Sequence, residues 1–200
     1  QKLTWTFQLK RLGDLVSKGK GSPGKLKFEG DFFHKKGDQK LQYSFSPSAG
    51  KGVGECTEKL TQIPSTSVFI PPKEVLSIAQ IIRKSREIDG TFGFDDTYLD
   101  LIRYLDNPTT QGGKKDSSQA RHNIAKYIGG KIEKGSDKKW RFRKGNTLHD
   151  IFTTAEGLKK IAIFDTLIGN KTINDKTVLF IDEPEAHLNP EGMIKFVEAL

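Results

Sequence analysis

The chain switches several times between a helical and an alternating hydrophobic period. Leu9, Leu12, Leu15 and Val16 lie at helical spacing within residues 3–17, and the breaker Ser-Lys-Gly-Lys-Gly-Ser-Pro-Gly (17–24) ends that stretch. Leu26, Phe28, Gly30 and Phe32 then alternate, as do Leu41, Tyr43 and Phe45, with Lys36-Gly37-Asp38 in the link. This predicts an antiparallel hairpin. Residues 46–54 read as a Gly/Ser/Pro loop. Ser67-Val68-Phe69-Ile70 reads as a short buried strand. Pro71-Pro72 predicts a helix start, Pro72 near its first position, with Val75, Leu76, Ala79 and Ile82 on the apolar face. A second helix is expected from about Asp95, its N-cap, with Tyr98, Leu101, Ile102 and Leu105 on one face. A polar loop (107–118) leads to a helix at 119–128. A second hairpin is expected from Ile132 and Trp140-Arg141-Phe142 around Gly135-Ser136-Asp137. A helix over 155–168, a strand over 177–181 and a helix after Pro190 complete the pattern.

Composition narrows the class. The 200 residues suffice for one good-sized domain with a core. A single cysteine, Cys56, excludes an internal disulfide framework and suits a reducing cytoplasm. No apolar stretch approaches the ~20 residues of a membrane span, and no signal-peptide pattern is visible, so a cytoplasmic chain is expected. The formal net charge of +8 permits nucleic-acid contact. Much of the excess sits in loop lysines (Lys18, Lys20, Lys25, Lys35, Lys36, Lys114, Lys115, Lys138, Lys139), a pattern that reads as solvation rather than a binding stripe.

The chemistry concentrates in Thr177-Val178-Leu179-Phe180-Ile181-Asp182-Glu183-Pro184-Glu185-Ala186-His187-Leu188-Asn189-Pro190. An apolar run straight into two carboxylates predicts a strand buried on both faces of a parallel sheet, with its chemistry at the carboxyl end. A carboxylate there, Asp182, can hold Mg²⁺ through its water shell. Its neighbour Glu183 can take a proton from an attacking water. Pro184 ends the strand, having no N–H to donate. Upstream, Thr153-Thr154-Ala155-Glu156-Gly157-Leu158-Lys159-Lys160 places a threonine, a small residue and a glycine at a helix start. Free N–H groups at such a start bind phosphate oxygens, and glycine admits a close approach. Gly157 precedes Asp182 by 25 residues, room for one helix and one turn.

Together these segments resemble the ABC-type ATPases of the SMC/RecF-like group, often labelled AAA family ATPases in bacteria, above all the compact members found in phage-defence clusters. The strand resembles Walker B with its catalytic glutamate, Glu183, and its metal carboxylate, Asp182. The helix start resembles the signature motif (Thr154, Ala155, Glu156, Gly157), and His187-Leu188-Asn189 resembles the D-loop. Phe69-Ile70-Pro71-Pro72-Lys73-Glu74-Val75-Leu76-Ser77 and Phe94-Asp95-Asp96-Thr97-Tyr98-Leu99-Asp100-Leu101 extend the likeness. The resemblance implies an α/β fold: a partial P-loop NTPase domain with an antiparallel and helical insertion (1–150) before the signature helix, Walker B strand and D-loop (151–200). It implies ATP and Mg²⁺ as cofactors, a nucleotide-sandwich homodimer or higher oligomer, and DNA-linked or anti-phage work. An effector protein, such as a nuclease, is a further implied partner. Two departures stand out: Ala155 where transporter-type signatures carry serine, and Asn189 where the D-loop usually carries aspartate.

The P-loop pattern G-x-x-x-x-G-K-[ST] is missing. Gly19-Lys20-Gly21-Ser22-Pro23-Gly24-Lys25-Leu26 comes near, but Leu26 has no hydroxyl for Mg²⁺, and the stretch follows a helix and precedes a strand. Gly50-Lys51-Gly52-Val53-Gly54 fails more plainly. The expectation is a fragment lying between the P-loop helix and the final strands. Two other functions stay open: an ATP-gated scaffold or sensor controlling a partner nuclease, and direct DNA binding through Trp140, Arg141 and Arg143, for which hairpin packing is the alternative. His34 and His122 lack ligand-spaced partners and read as surface residues; His149 reads as packing near the signature. Lys73 and Glu74 read as starting a helix near a possible phosphate edge, with an ordinary helix-start salt link as the favoured reading.

Overall fold

The computed structural model describes residues 2–16, 24–32, 39–50, 52–53, 55–58, 66–109 and 115–199. The first hairpin's link Lys36-Gly37-Asp38, His34, and Lys18, Lys20, Lys35, Lys36 and Lys114 lie outside them. The chain forms two compact units, residues 1–64 with 92–96, and residues 65–91 with 97–200.

In the first unit, the helix expected over 3–17 is replaced by α1 (Lys2–Thr6) and a single tight turn at Leu12–Leu15. The cause is tertiary. Gln8 takes a left-handed φ of 52°. The Leu12 and Gly13 N–H groups donate to the Gly50 and Ala49 carbonyls, at 2.8 and 3.0 Å, instead of along a helix. Gly13 is pressed so close to Pro47 that a Cβ would fall 2.1 Å from its carbonyl oxygen. The predicted hairpin forms from β1 (Leu26–Phe32) and β2 (Gln39–Phe45), with Phe28 opposite Tyr43 and their rings stacked at 4.8 Å. A third strand, β3 (Glu55–Glu58), pairs antiparallel with β2 and had no alternation to announce it. Leu12, Val16 and Phe45 form the core.

The second unit is mixed α/β. β4 (Thr66–Ile70) and β8 (Thr177–Ile181) pair in parallel, Ser67 beside Val178 and Phe69 beside Phe180. Between them in sequence lie α2 (Ala79–Arg83), running into a wider turn at Lys84–Ile88, then α3 (Asp96–Leu105), α4 (Lys115–Ile128) and α5 (Glu156–Gly169). The antiparallel strands β5 (Lys131–Lys134), β6 (Trp140–Lys144) and β7 (Thr147–Asp150) sit between α4 and α5. α6 (Pro190–Ala199) follows β8. The helix expected at Pro72 starts only at Ala79. Glu74 explains the delay: its carboxylate accepts from the Leu76 and Ser77 N–H groups, at 2.7 and 3.2 Å, and holds the chain in a turn first. The predicted apolar positions Val75, Leu76, Ala79 and Ile82 are buried all the same.

α5 is the centre of this unit. Ile161, Ala162, Ile163, Phe164 and Leu167 are at most 1% exposed, so the helix is covered on several sides rather than along one stripe. α4 packs on α5 and α6. The Phe164 and Phe196 rings meet edge to face at 4.4 Å and join α5 to α6. Three charged side chains of α5 are buried, and each has a partner: Lys159 with Glu74, Lys160 with the Glu183 carbonyl, Asp165 with Arg121. Among the described residues no buried side-chain nitrogen or oxygen lacks a hydrogen bond, as burial of polar groups requires.

The strand at 177–181 departs from the reading in one respect. It is not buried on both faces. Val178 and Phe180 are 48% and 52% exposed, and the neighbouring Phe69 is 37% exposed. The parallel register puts these three on one face, while Val68 and Ile70 face the core. A two-stranded sheet with one covered face leaves the other to solvent. No helix among the described residues is long and apolar enough to cross a membrane.

Candidate functional site at the carboxyl end of the parallel strands

The ladder between the two parallel strands continues one residue past β8: the Asp182 N–H donates to the Ile70 carbonyl at 3.0 Å. Asp182 is thereby fixed at the strand end with its side chain exposed. Glu183 is exposed too, and its backbone turns into the left-handed region, φ 45°. Two overlapping turns follow. The Ala186 N–H donates to the Glu183 carbonyl at 3.0 Å, and the Leu188 N–H to the Glu185 carbonyl at 3.1 Å. His187 is also left-handed, φ 64°. Beneath this loop lies Lys160, 4% exposed, whose ammonium donates to the Glu183 carbonyl at 2.5 Å. Burial pushes the Lys160 ammonium below the usual lysine range, against the opposing pull of Glu185, Glu183 and Asp182.

The start of α5 meets the same loop. Asp150 shapes the approach: its carboxylate accepts from the Phe152 N–H at 2.9 Å, and its carbonyl from the Thr153 and Thr154 hydroxyls at 2.8 and 3.3 Å. Ala155, at the cap position, offers no side-chain hydrogen bond to the first turn. Glu156 is exposed and lies 3.3 Å from the His187 imidazole. Gly157 is buried, and a Cβ there would fall 2.3 Å from the His187 carbonyl oxygen and 3.1 Å from a Leu188 methyl. The glycine is thus required by the packing of the loop on the helix.

Of the residues singled out from the sequence, Glu156, Gly157, His187 and Leu188 come together, and Lys160 links them to Glu183. Asn189 does something else. Its side-chain oxygen accepts from the Gly192 N–H at 2.7 Å, the N-cap of α6, and from the Tyr127 hydroxyl at 3.1 Å. Asp182 remains a lone candidate metal ligand: among the described residues no three His, Cys, Asp or Glu side chains are grouped to hold an ion. That donor set still suits Mg²⁺ carried with a nucleotide, because Mg²⁺ takes one or two carboxylates and completes its shell with phosphate oxygens and water. Between the strand exits and α5 is a cavity of about 10 Å³, the size of one water, bordered by Ile70, Glu74, Lys160, Ile163 and His187. A larger one of about 200 Å³ lies elsewhere, bordered by Leu76, Gln80, Lys138, Trp140 and Phe152.

Trp140 is 7% exposed, with the Lys134 ammonium 5.6 Å from the centre of its ring. Arg141 pairs with Asp137 and Arg143 with Glu133. The hairpin therefore presents no free aromatic for base stacking. His122 and His149 are exposed; His149 sits on β7 opposite Phe142, not in the packing before α5. Glu74 makes its ion pair with Lys159 at 3.2 Å, while Lys73 is exposed. In the near match to a P-loop, Gly19 to Pro23 lie outside the described residues, and Leu26 opens β1. In the second glycine-rich stretch, Lys51 and Gly54 lie outside them. The sequence reading missed the two buried lysines and the Arg121–Asp165 pair. Its only signal was charge placed inside an apolar helical run, as in Lys159-Lys160-Ile161. No protein-family model matches the chain, and no curated protein or solved structure matches it.

Proposed function

We propose that this chain carries the Walker B and signature parts of an ABC-type ATPase that works as a nucleotide-sandwich homodimer or higher oligomer. The observation that carries the reading is the presentation of Asp182 and Glu183 to solvent at the carboxyl end of a parallel strand, on a loop packed against the start of α5. Ligands of open α/β sheets bind at that end. Asp182 would hold the Mg²⁺ of Mg-ATP. Bound there, the ion would offset charge on the phosphates. Glu183 takes the proton of the attacking water, its carboxylate free of the protein's interior. The exposed start of α5 at Ala155 and Glu156 offers N–H groups toward the γ-phosphate of a nucleotide held by the partner subunit, while the Thr154 N–H is donated to the Ile151 carbonyl and Gly157 is buried under the His187 carbonyl. Ala155 leaves those groups uncapped, which keeps them available for an anion.

On this reading the protein works in the cytoplasm in a DNA-linked or anti-phage process. Its ATP cycle either drives DNA-linked work or gates an effector such as a nuclease. The test is Glu183→Gln in the protein as its gene encodes it. ATP binding should persist while turnover falls by about 10²-fold or more. Steady-state hydrolysis at the unaltered rate would remove the assignment.

A further inference from the structure

Lys159 and Lys160 are consecutive, yet each is only 4% exposed. Successive side chains leave a helix about 100° apart, so the two point in different directions. Lys159 reaches the exit of β4, 3.2 Å from the Glu74 carboxylate and 2.9 Å from the Ser77 hydroxyl. Lys160 reaches the exit of β8 and donates to the Glu183 carbonyl at 2.5 Å. One turn of α5 thus ties down the ends of both parallel strands.

The Lys160 contact falls on a strained residue. Glu183 has φ 45°, a conformation that a residue with a Cβ keeps only where its surroundings hold it. That backbone turn sends the chain back over α5 while the Glu183 side chain stays in solvent. A methionine would fill much of the space of Lys160 without burying a charge, and burying a charge is costly. The ammonium therefore has a task beyond packing. We propose that Lys160 is a positioning residue for Glu183, its ammonium holding the Glu183 carbonyl so that the loop stays in the left-handed turn that presents the carboxylate. The catalytic consequence rests on the general-base reading of Glu183; the positioning does not.

Two measurements separate these. In the 200-residue chain, the Glu183 carbon shifts and the three-bond coupling across φ report the left-handed turn by NMR. Lys160→Met should lose that signature and Lys160→Arg should keep it. A retained signature in Lys160→Met overturns the proposal. If Lys160→Met does not fold, Glu183→Gly in the same chain decides, because glycine takes this φ without strain. Recovery of folding in the double variant supports the proposal, and continued failure overturns it. In the protein as encoded, Lys160→Met should lower kcat about tenfold with the KM for ATP nearly unchanged, and Lys160→Arg should recover most of it. An unchanged kcat in Lys160→Met, where Glu183→Gln is inactive, overturns the catalytic role. Full turnover in Glu183→Gln overturns the general-base reading instead, and the NMR comparison still judges the positioning.

Discussion

Gly157 lies against the carbonyl of His187, with room for a hydrogen but not for a methyl: a Cβ would stand 2.3 Å from the oxygen. The contact joins the start of α5 to the loop after β8. It also sets the sign of a substitution. In an unconstrained helical turn, Gly→Ala stabilises by roughly 0.5–1 kcal/mol. Here the neighbour is backbone and cannot rotate away, so Gly157→Ala should destabilise by about 1–3 kcal/mol, the usual cost of overpacking. Denaturant unfolding of the two chains checks it. A more stable Gly157→Ala would mean that the loop is not seated on the helix.

Asn189 should behave as a cap. Asn189→Ala loses the bond to the Gly192 N–H and should cost about 1 kcal/mol. Asn189→Asp keeps an acceptor at the positive end of α6 and should be nearly neutral. Thermal unfolding of both variants measures the difference. Equal losses in the two would show that the amide nitrogen, and not the cap, matters.

The bare face of the parallel sheet should make the chain self-associate. Phe69, Val178 and Phe180 expose contiguous apolar surface, and strand edges invite pairing. Phe180→Lys should lower association with little change in stability, since half of that ring is already in water. Light scattering across a concentration series reads this directly; identical curves for the two chains would count against it.

The β5–β6 turn carries a pH signature. Hydrogen bonds from the Arg141 guanidinium, and then from the Lys139 N–H, pull the Asp137 carboxyl from 3.8 down to about 2. The folded value lies below the unfolded one, so the contribution to stability is full above about pH 4 and is lost as pH falls toward 2. Asp137 lies in an exposed turn, so the effect belongs to the turn, not to the core. NMR titration of the Asp137 carboxyl should give a midpoint near 2, and Arg141→Met should return it toward 3.8. A midpoint near 3.8 in the unaltered chain would rule out the pair in solution.

The 200-residue chain should not bind Mg-ATP tightly. On the proposed reading Asp182 and Glu183 act on a phosphate that something else must hold, and the sequence has no P-loop lysine with its ring of N–H groups. The nearest sequence match runs directly into β1. Calorimetric titration should show no binding at micromolar nucleotide. A micromolar Kd would place a phosphate cradle somewhere the motif does not reveal.

The sequence by itself determined those elements whose signal is local. The alternation of Leu26 to Phe32 and Leu41 to Phe45 produced a hairpin. The apolar run 177–181, ended by Asp182-Glu183-Pro184, produced a strand and a polar turn, and the periodic stretch 155–168 produced α5. In these segments side-chain period, breakers and strand length agree without help from distant residues. The tertiary structure decided what depends on distant partners. Lys159 and Lys160 look like the solvated face of a helix until α5 is surrounded. Only then do Glu74 and the Glu183 carbonyl become their alternative to water. Gly157 could be read as space for a phosphate, whereas the fold fills that space with the His187 carbonyl. Residues 3–17 have the spacing of one helix, but Gly13 is claimed by the loop at Pro47 and the helix is broken. The physical reason is common to all three. Propensity and period act over a few residues, while desolvation and close packing are fixed by whichever remote group arrives next to them.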